Sequence, residues 1–144
     1  MRSRKVLRIL LAAVILLGLL PAAGQPAHAG HKKDTDIAWP VTNGNIYFDK
    51  DTGTVTDCDR SVTAAAIPDS IGGVAVRCIG YEAFEECPKL ESVTIPDSVT
   101  EIQLDAFSRC TGLTSLTMGN GVKLIGRLAF YGCRGLKSLT LPTA

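Results

Sequence analysis

The chain has 144 residues, and its 15 Lys and Arg against 14 Asp and Glu give a formal net charge of +1. Four of the basic residues and none of the acidic ones precede Gly30, so the remainder carries 11 basic against 14 acidic side chains. This weakly acidic remainder argues against a nucleic-acid partner and against membrane binding through a basic patch. The length suits one domain.

The N-terminus is typical of a secretory signal peptide, over positions 1–29. Four basic residues precede an uncharged run at 9–20, Pro21 ends that run, and Ala27-His28-Ala29 is a small-x-small cleavage site. We therefore predict cleavage after Ala29, a secreted or cell-surface protein, and no membrane span after cleavage. The alternative is an uncleaved anchor, but a span needs about 18–20 apolar residues, more than this run has.

Two segments precede the main body of the chain. Residues 30–40 begin with a polar and charged stretch and predict a flexible leader. Residues 41–60 predict an N-terminal β-hairpin cap, in which Asp49–Thr52 joins strands at Asn45–Phe48 and Gly53–Thr56. Such a hairpin would cover one open end of a stack of repeats, and terminal units of that kind need a cap.

An internal repeat with a constant step dominates residues 61–144. Ala83-Phe84-x-x-Cys87 recurs as Ala106-Phe107-x-x-Cys110 and as Ala129-Phe130-x-x-Cys133, which defines a 23-residue period. Other apolar positions keep the same step: Ile79, Ile102 and Ile125; Leu90, Leu113 and Leu136; Val93, Leu116 and Leu139; Ile95, Met118 and Leu141. The period falls in the range of about 20–29 residues that leucine-rich repeats use. We expect about three repeats, the last one truncated.

The pattern of one repeat predicts a short strand followed by a turn. Val93 and Ile95 flank Thr94 and so share one face of a strand, which Pro96 ends because proline donates no ladder hydrogen bond. Phe107 and its neighbours are expected to turn inward. One unit cannot bury its own apolar face, but stacked units with strands about 4.8 Å apart form a continuous core. The sequence therefore predicts a β-rich leucine-rich-repeat solenoid, built as a short array.

Two places depart from the regular repeat. An earlier unit, recognised by Ile67-Pro68-Asp69-Ser70-Ile71, is five residues longer, and the extra residues around Gly72-Gly73-Val74 predict an added turn. In a later unit Gly119-Asn120-Gly121 replaces Pro-Asp-Ser, which predicts a looser corner because glycine is conformationally permissive.

The pattern Ile-Pro-Asp-Ser-Val-x-x-Ile-x-x-x-Ala-Phe-x-x-Cys-x-x-Leu-x-x-Leu-x-Leu resembles the BspA-like class of bacterial leucine-rich repeats, over roughly residues 45–142. The resemblance implies a secreted or cell-surface protein that mediates protein–protein or adhesive binding, with a protein or extracellular-matrix ligand. Arrays of this class are often much longer. The alternative function is therefore a structural or self-assembling repeat fragment of a longer surface array, with no ligand of its own.

The residues of the repeats do not form a recognisable catalytic or metal-binding set. The two histidines, His28 and His31, precede the repeats, so a Ser or Cys nucleophile there lacks a histidine base. Asp49-x-Asp51-x-Gly53 resembles part of a calcium loop, but its glycine is one position early and Arg60 stands in place of the closing Glu. A hairpin turn explains these residues without an ion. We predict no enzyme activity, no cofactor and no metal.

The five cysteines divide into two groups. Cys87, Cys110 and Cys133 share one repeat position, and we predict that they are buried free thiols, because Cys suits a tight inward slot. Cys58 and Cys78 occupy no core position of the repeat. A disulfide between Cys58 and Cys78, joining the cap to the first repeat, is an alternative that the sequence leaves open for an exported protein.

The outward side of the strands is the candidate ligand-binding surface, because repeat solenoids commonly bind through such a surface. Its positions are Glu91, Ser92, Thr94, Thr114, Ser115, Thr117, Lys137, Ser138 and Thr140. Ser and Thr are also ordinary residues for a solvated strand. The final strand, with Leu136, Leu139 and Leu141, is expected to be an open edge, which predicts self-association through the C-terminal edge.

Overall fold

The computed structural model describes residues 32–142. The predicted signal peptide and the start of the predicted leader, residues 30 and 31, lie outside this range. The strands of the described part are β1 (Ile37–Val41), β2 (Gly44–Asp49), β3 (Thr54–Cys58), β4 (Ala64–Ala66), β5 (Ser70–Ile71), β6 (Val74–Ala75), β7 (Cys78–Ile79), β8 (Ser92–Ile95), β9 (Glu101–Ile102), β10 (Ser115–Met118) and β11 (Leu124–Ile125). Between residues 32 and 142, no helix has the length and apolar character to cross a bilayer.

An antiparallel meander of β1, β2 and β3 forms the N-terminal cap. The predicted hairpin is present as β2 and β3, with a register irregularity between Tyr47 and Phe48. The prediction of a flexible leader over residues 30–40 is wrong for residues 37–40. These residues belong to β1 and pair with β2, beginning with Ile37 opposite Phe48. Ile37, Trp39 and Val41 pack against the core, so alternate residues of this segment have an apolar face to bury.

Two sheets run along the solenoid. On one side β4, β8 and β10 form a parallel sheet in the order β10-β8-β4. On the other side the cap continues into the repeats, in the order β1-β2-β3-β7-β9-β11. Ser92 pairs with Ser115, and Glu101 pairs with Leu124, so each rung lies one full repeat after the previous one. The predicted 23-residue solenoid is confirmed.

The first unit contains the predicted insertion. Ala64 pairs with Ser92, which is five residues more than the regular spacing. The added residues form a small hairpin of β5 and β6, in which Ser70 pairs with Ala75 and Ile71 with Val74. Its turn is Gly72-Gly73, with φ of 59° and 81°. These left-handed values are accessible to glycine without a Cβ clash, which explains the two glycines.

The core is a set of ladders, each made of one repeat position. Ile79 and Ile102 are fully buried, as are Leu90 and Leu113. The Phe84 and Phe107 rings stack with centroids 4.9 Å apart, and Phe107 and Phe130 with centroids 5.4 Å apart. Each phenylalanine is also tied to the next unit through its backbone: Phe84 N donates to Ala106 O, and Phe107 N to Ala129 O, both at 2.8 Å.

The strand predicted at Leu136, Leu139 and Leu141 is not formed. The chain follows the repeat path as far as Gly135, where an added Cβ would lie 2.7 Å from Leu113 O. Beyond it, residues 136–142 are in no strand, and Leu139 and Leu141 are 37% and 54% exposed. Within the described residues this segment has a stacking neighbour on one side only. Burial on one side compensates less of the conformational entropy that a fixed strand loses.

The corner at Gly119–Gly121 is tight, and the prediction that it would be loose is wrong. A Cβ on Gly121 would lie 1.9 Å from Asp97 O, and one on Gly119 would lie 2.5 Å from the Pro96 carbonyl carbon. Asn120 N donates to Asp97 Oδ1 at 2.7 Å. The glycines are therefore needed for close approach to the preceding corner.

Candidate functional site

The outward side of the β4-β8-β10 sheet carries the predicted binding residues of the two central rungs. Parallel register places Ser92 beside Ser115, and Thr94 beside Thr117. Thr94, Ser115 and Thr117 are exposed and Ser92 is partly exposed, whereas Val93 between them is buried. We call Ser92, Thr94, Ser115 and Thr117 the hydroxyl face. It is bordered by Ala64 and Ala66 of β4, which continue its two columns with methyl groups.

The hydroxyl face is available for external hydrogen bonds. Within residues 32–142, its four side-chain hydroxyls make no hydrogen bond to another protein group. Among the described residues the backbone of β8 pairs with a strand on both sides, whereas β10 pairs only with β8. This combination leaves donors and acceptors at spacings set by a rigid sheet.

Glu91 and Thr114 lie at the beginning of this sheet. Glu91 O accepts from Thr114 N at 3.0 Å and from Ser115 N at 3.1 Å. The Thr114 hydroxyl also donates to Glu91 O, at 3.2 Å. Thr114 is therefore engaged internally, whereas the exposed Glu91 side chain adds a negative charge at the start of the hydroxyl face.

The remaining predicted binding residues are not brought into this ladder. Lys137, Ser138 and Thr140 are exposed but lie in the segment that forms no strand. The structure thus groups six of the nine predicted positions on or beside one sheet.

An exposed apolar groove that the sequence pattern does not predict lies on the other sheet. It has a volume of about 400 Å³ and is lined by Tyr81, Leu104, Leu124 and Ile125, by the two residues of β9, and by Gln103 and Gly126, which follow β9 and β11. Leu124 is 64% exposed and Ile125 is 39% exposed. Ile125 has the same repeat position as the buried Ile79 and Ile102, so only its place on the last rung of the sheet explains its exposure. One residue in the sequence indicates this apolar surface. Leu124 is a large apolar residue at the position that Glu101 and Cys78 occupy in earlier rungs.

Leu128 belongs to the same exposed end and has an unusual backbone. Glu82, Asp105 and Leu128 share one repeat position, with φ of 55°, 56° and 59°. Left-handed φ is disfavoured for a bulky side chain. Leu128 is 45% exposed, and Tyr131 close to it in the chain is 59% exposed.

Three cysteine thiols form a column in the core. Cys110 Sγ donates to Phe84 O at 2.9 Å, and Cys133 Sγ donates to Phe107 O at 3.0 Å. Contact with Cys133, followed by burial, raises the pKa of the Cys110 thiol. Cys87 and Cys110 are buried, whereas Cys133 is only partly buried, and contact with Cys110 lowers the pKa of the Cys133 thiol.

The structure does not support a Cys58–Cys78 disulfide. Cys78 pairs with Thr54 at the opposite end of β3 from Cys58. Four residues of extended strand span about 13 Å, beyond the Cα separation of about 4.4–6.8 Å that a disulfide allows. Instead, Cys58 Sγ lies 2.9 Å from Cys87 Sγ.

The Asp49–Gly53 segment forms the turn between β2 and β3. Asp49 accepts hydrogen bonds from Lys33 Nζ at 2.6 Å and from Asp51 N at 2.9 Å. The hydrogen bond from Lys33 contributes most to lowering the pKa of Asp49. The carboxylate is thus already used in holding the turn, and no three metal-ligating side chains cluster anywhere in the described part of the chain.

Comparison with known proteins identifies the repeats. Residues 62–144 match the family model of the BspA type leucine rich repeat region, described as having 6 copies. The chain belongs to the BspA-type leucine-rich repeat family. The resemblance found in the sequence is confirmed. No curated protein sequence gives a significant match.

Solved structures of bacterial leucine-rich repeat proteins have the same fold. A T. pallidum leucine-rich repeat protein is 25% identical, with a TM-score of 0.60 over 74% of this chain and 50% of its own. One from Bacteroides capillosus is 34% identical, with a TM-score of 0.59 over 69% and 78%. A leucine-rich cell surface protein from Faecalibacterium prausnitzii is 30% identical, with a TM-score of 0.54 over 80% and 30%. The chain therefore spans half of the first of these proteins and less than a third of the last.

The BspA-type repeat accounts for the buried positions of the repeat units, whereas the buried Ile46, Phe48 and Val55 belong to the cap. Its Ile, Phe, Cys and Leu positions are the core ladders described above. Some exposed positions differ between units, as where Tyr81 and Leu104 occupy equivalent places, whereas the exposed columns of the hydroxyl face repeat the same residue.

Proposed function

We propose that this chain is an exported or cell-surface module that binds a protein or extracellular-matrix ligand through the hydroxyl face, without enzymatic activity. The observation that carries the proposal is the alignment of Ser92, Thr94, Ser115 and Thr117 in two exposed columns of a parallel sheet. A regular surface of unpaired hydroxyls on a rigid ladder suits an extended polar ligand, because little ordering is needed on binding.

Export is supported by the sequence of residues 1–29 and by one of the similar structures. That sequence has the basic start, apolar run and small-x-small site of a cleavable signal. The F. prausnitzii protein is described as a cell surface protein. Glu91, Lys137, Ser138 and Thr140 are proposed as additional contacts around the hydroxyl face.

Binding is tested by screening the purified exported chain against matrix proteins and glycans, followed by titration of any ligand found. The test variant is Thr94→Arg with Thr117→Arg, which places two long charged side chains on the hydroxyl face. We expect affinity to fall by about 10-fold or more, equivalent to about 1.4 kcal/mol. Both positions are exposed, so the variant should still fold, with a melting temperature slightly below that of the parent because the two paired positions carry like charges.

The matched control is Leu124→Arg, which places the same side chain on the other sheet. Its ligand affinity should equal that of the parent. Equal affinity in the hydroxyl-face variant, or equal loss in the two variants, would exclude the hydroxyl face as the ligand site.

A second proposal is that the chain self-associates through its C-terminal end, as a structural repeat unit would. It is favoured by the exposed apolar side chains of the last turn, Leu124, Ile125, Leu128 and Tyr131. Within the described residues β11 has a strand neighbour only in β9, so its other edge has unpaired backbone groups. Edges of this kind pair with other chains unless they are protected. The proposed occupant is a second copy, because a two-fold contact buries the same patch of both.

Sedimentation over a concentration series tests this proposal. We expect the parent to change from monomer to dimer as concentration rises, and Leu124→Arg to remain monomeric. The Thr94→Arg, Thr117→Arg variant should still dimerise, so each variant is the control for the other. A parent that stays monomeric at every concentration would contradict self-association and leave the ligand-binding proposal unaffected.

A further inference from the structure

At the N-terminal end of the solenoid, the hydrogen-bond partner of the cysteine thiol differs from that in the later units. In two units the thiol donates to a phenylalanine carbonyl of the preceding unit: Cys110 contacts Phe84 O, and Cys133 contacts Phe107 O. The equivalent position before Cys87 is Ser61, which lies between β3 of the cap and β4, where no phenylalanine is present. There the cap supplies Cys58 instead, at the end of β3.

The two sulfur atoms meet in a closed apolar site. Cys58 Sγ lies 2.9 Å from Cys87 Sγ, less than about 1 Å beyond the covalent S–S length of about 2.05 Å. The residues are 4% and 1% exposed. Cys87 Sγ also makes a weak contact to Glu85 O at 3.8 Å, which is too long to compete strongly for this thiol.

We propose that Cys58 and Cys87 form a disulfide that fastens the N-terminal cap to the first repeat. Cys110 and Cys133 remain thiols, because each donates to a carbonyl of the unit before it. Cys78 remains a thiol because it lies at the other end of β3, opposite Thr54.

The oxidant is a disulfide of the thiol–disulfide exchange class. A thiolate of Cys58 or Cys87 attacks the oxidant disulfide, forms a mixed disulfide and releases one thiol of the oxidant. The second cysteine, as its thiolate, then displaces the other oxidant thiol and closes the Cys58–Cys87 bond. In total, two protein thiols lose two protons and two electrons, and one oxidant disulfide becomes two thiols.

Closure is expected during folding. The contact with Cys87, followed by burial, raises the pKa of the Cys58 thiol in the folded state, where little thiolate is then available. Both thiols are accessible before the cap docks. In the cell, the oxidant is met outside the cytoplasm, so the bond there also rests on the proposed export. The purified protein tests the pairing independently.

The disulfide would hold together residues 29 apart in the chain. Closing a loop of this length restricts the unfolded state, and the closed loop contains the first repeat. We expect reduction of the oxidised protein to lower its melting temperature by about 10 °C or more.

The pairing is tested by refolding the reduced chain with oxidised and reduced glutathione, then alkylating it in denaturant. Digestion should combine trypsin with a Glu-specific protease, because Cys78 and Cys87 lie in one tryptic peptide and Glu82, Glu85 and Glu86 separate them. Mass spectrometry is expected to find Cys58 linked to Cys87 and the other three of the five cysteines alkylated.

Variants complete the test. Cys78→Ala should keep the reduction-sensitive melting temperature, whereas Cys58→Ala should melt at one temperature with or without reductant. Five alkylated cysteines after oxidative refolding, or a Cys58–Cys78 or Cys87–Cys110 link, would overturn the proposal. Because the peptide map is made on the parent chain, the result does not depend on the folding of any variant. A negative map would leave the hydroxyl-face proposal intact.

Discussion

At the scale of the residue, Phe107 packs between two equivalent rings of the solenoid. Its ring is fully buried and lies between Phe84 and Phe130, at centroid distances of 4.9 and 5.4 Å. Its side chain therefore joins three successive units, and its backbone N–H is bonded to Ala129. Loss of the ring would leave a cavity at a position that neighbouring units cannot collapse around without breaking their register.

We predict that Phe107→Ala lowers the free energy of unfolding by about 3–5 kcal/mol. Denaturant unfolding of purified protein measures this change. Phe130→Ala is the matched control, because Phe130 has the same repeat position but is only partly buried, and it should cost clearly less. Equal costs at the two positions would contradict the continuous aromatic ladder.

The cysteine column predicts an order of thiol reactivity. Cys133 is only partly buried and so is open to reagent, and contact with Cys110 lowers the pKa of its thiol. Cys110 is fully buried and its pKa is raised. Timed alkylation of native protein should label Cys133 first and at lower pH, and Cys110 only after unfolding. Labelling of both at one rate would show that the column is open to solvent.

At the scale of the element, the corners of the repeat are held by close backbone contact. Pro96 and Asp97 form one corner, and Gly119 and Gly121 allow the next corner to stack directly on it. Asn120 N completes the stack by donating to the Asp97 carboxylate. Small residues therefore replace Pro-Asp-Ser without loss of order in the stack.

We predict that Gly121→Ala destabilises the protein by about 1–3 kcal/mol, because the new methyl group would overlap Asp97 O. Asn120→Ala serves as the control. It changes an exposed side chain and retains the backbone bond to Asp97, so its unfolding free energy should stay within about 0.5 kcal/mol of the parent. The same denaturant unfolding measures both. An unchanged midpoint for Gly121→Ala would mean that the corner has the freedom first inferred from its sequence.

At the scale of the whole molecule, the solenoid has two different ends. The N-terminal end is covered by β1, β2 and β3, whose last strand joins the sheet of the repeats. At the other end of the described residues, Leu124, Leu128 and Tyr131 are exposed. A stack of repeats buries its core only between neighbouring units, so the last described unit leaves apolar side chains exposed. The cap, the hydroxyl face and the apolar end are thus three separate regions.

Export makes a prediction about the N-terminus of the mature protein. When the full chain is expressed in a secreting bacterium, the exported product should begin at Gly30, because Ala27-His28-Ala29 is the predicted cleavage site. N-terminal sequencing or intact mass measures the product. Ala29→Arg should block processing and retain the longer form in the cell. A product that keeps residues 1–29 in the parent chain would contradict cleavage.

The sequence by itself determined the repeat frame of this protein. Phe84, Phe107 and Phe130 recur at a constant step because each unit places the same side chain at the same core position. The stacking period can therefore be read from the sequence. The hairpin of the cap and the insertion at Gly72-Gly73 were predictable for a similar reason. They depend on local strand alternation and turn chemistry.

Only the tertiary structure decided the features that depend on which units meet. Cys58 lies beside Cys87 rather than Cys78 because the strand register of the cap, which lacks the period of the repeats, sets that neighbour. Ile125 has the repeat position of a core residue and is nevertheless exposed, because burial requires a neighbour on both sides. The tight corner at Gly121 follows from contact with Asp97 in the preceding unit. A periodic sequence specifies what is alike in every unit, whereas long-range contacts determine what differs at the ends and corners.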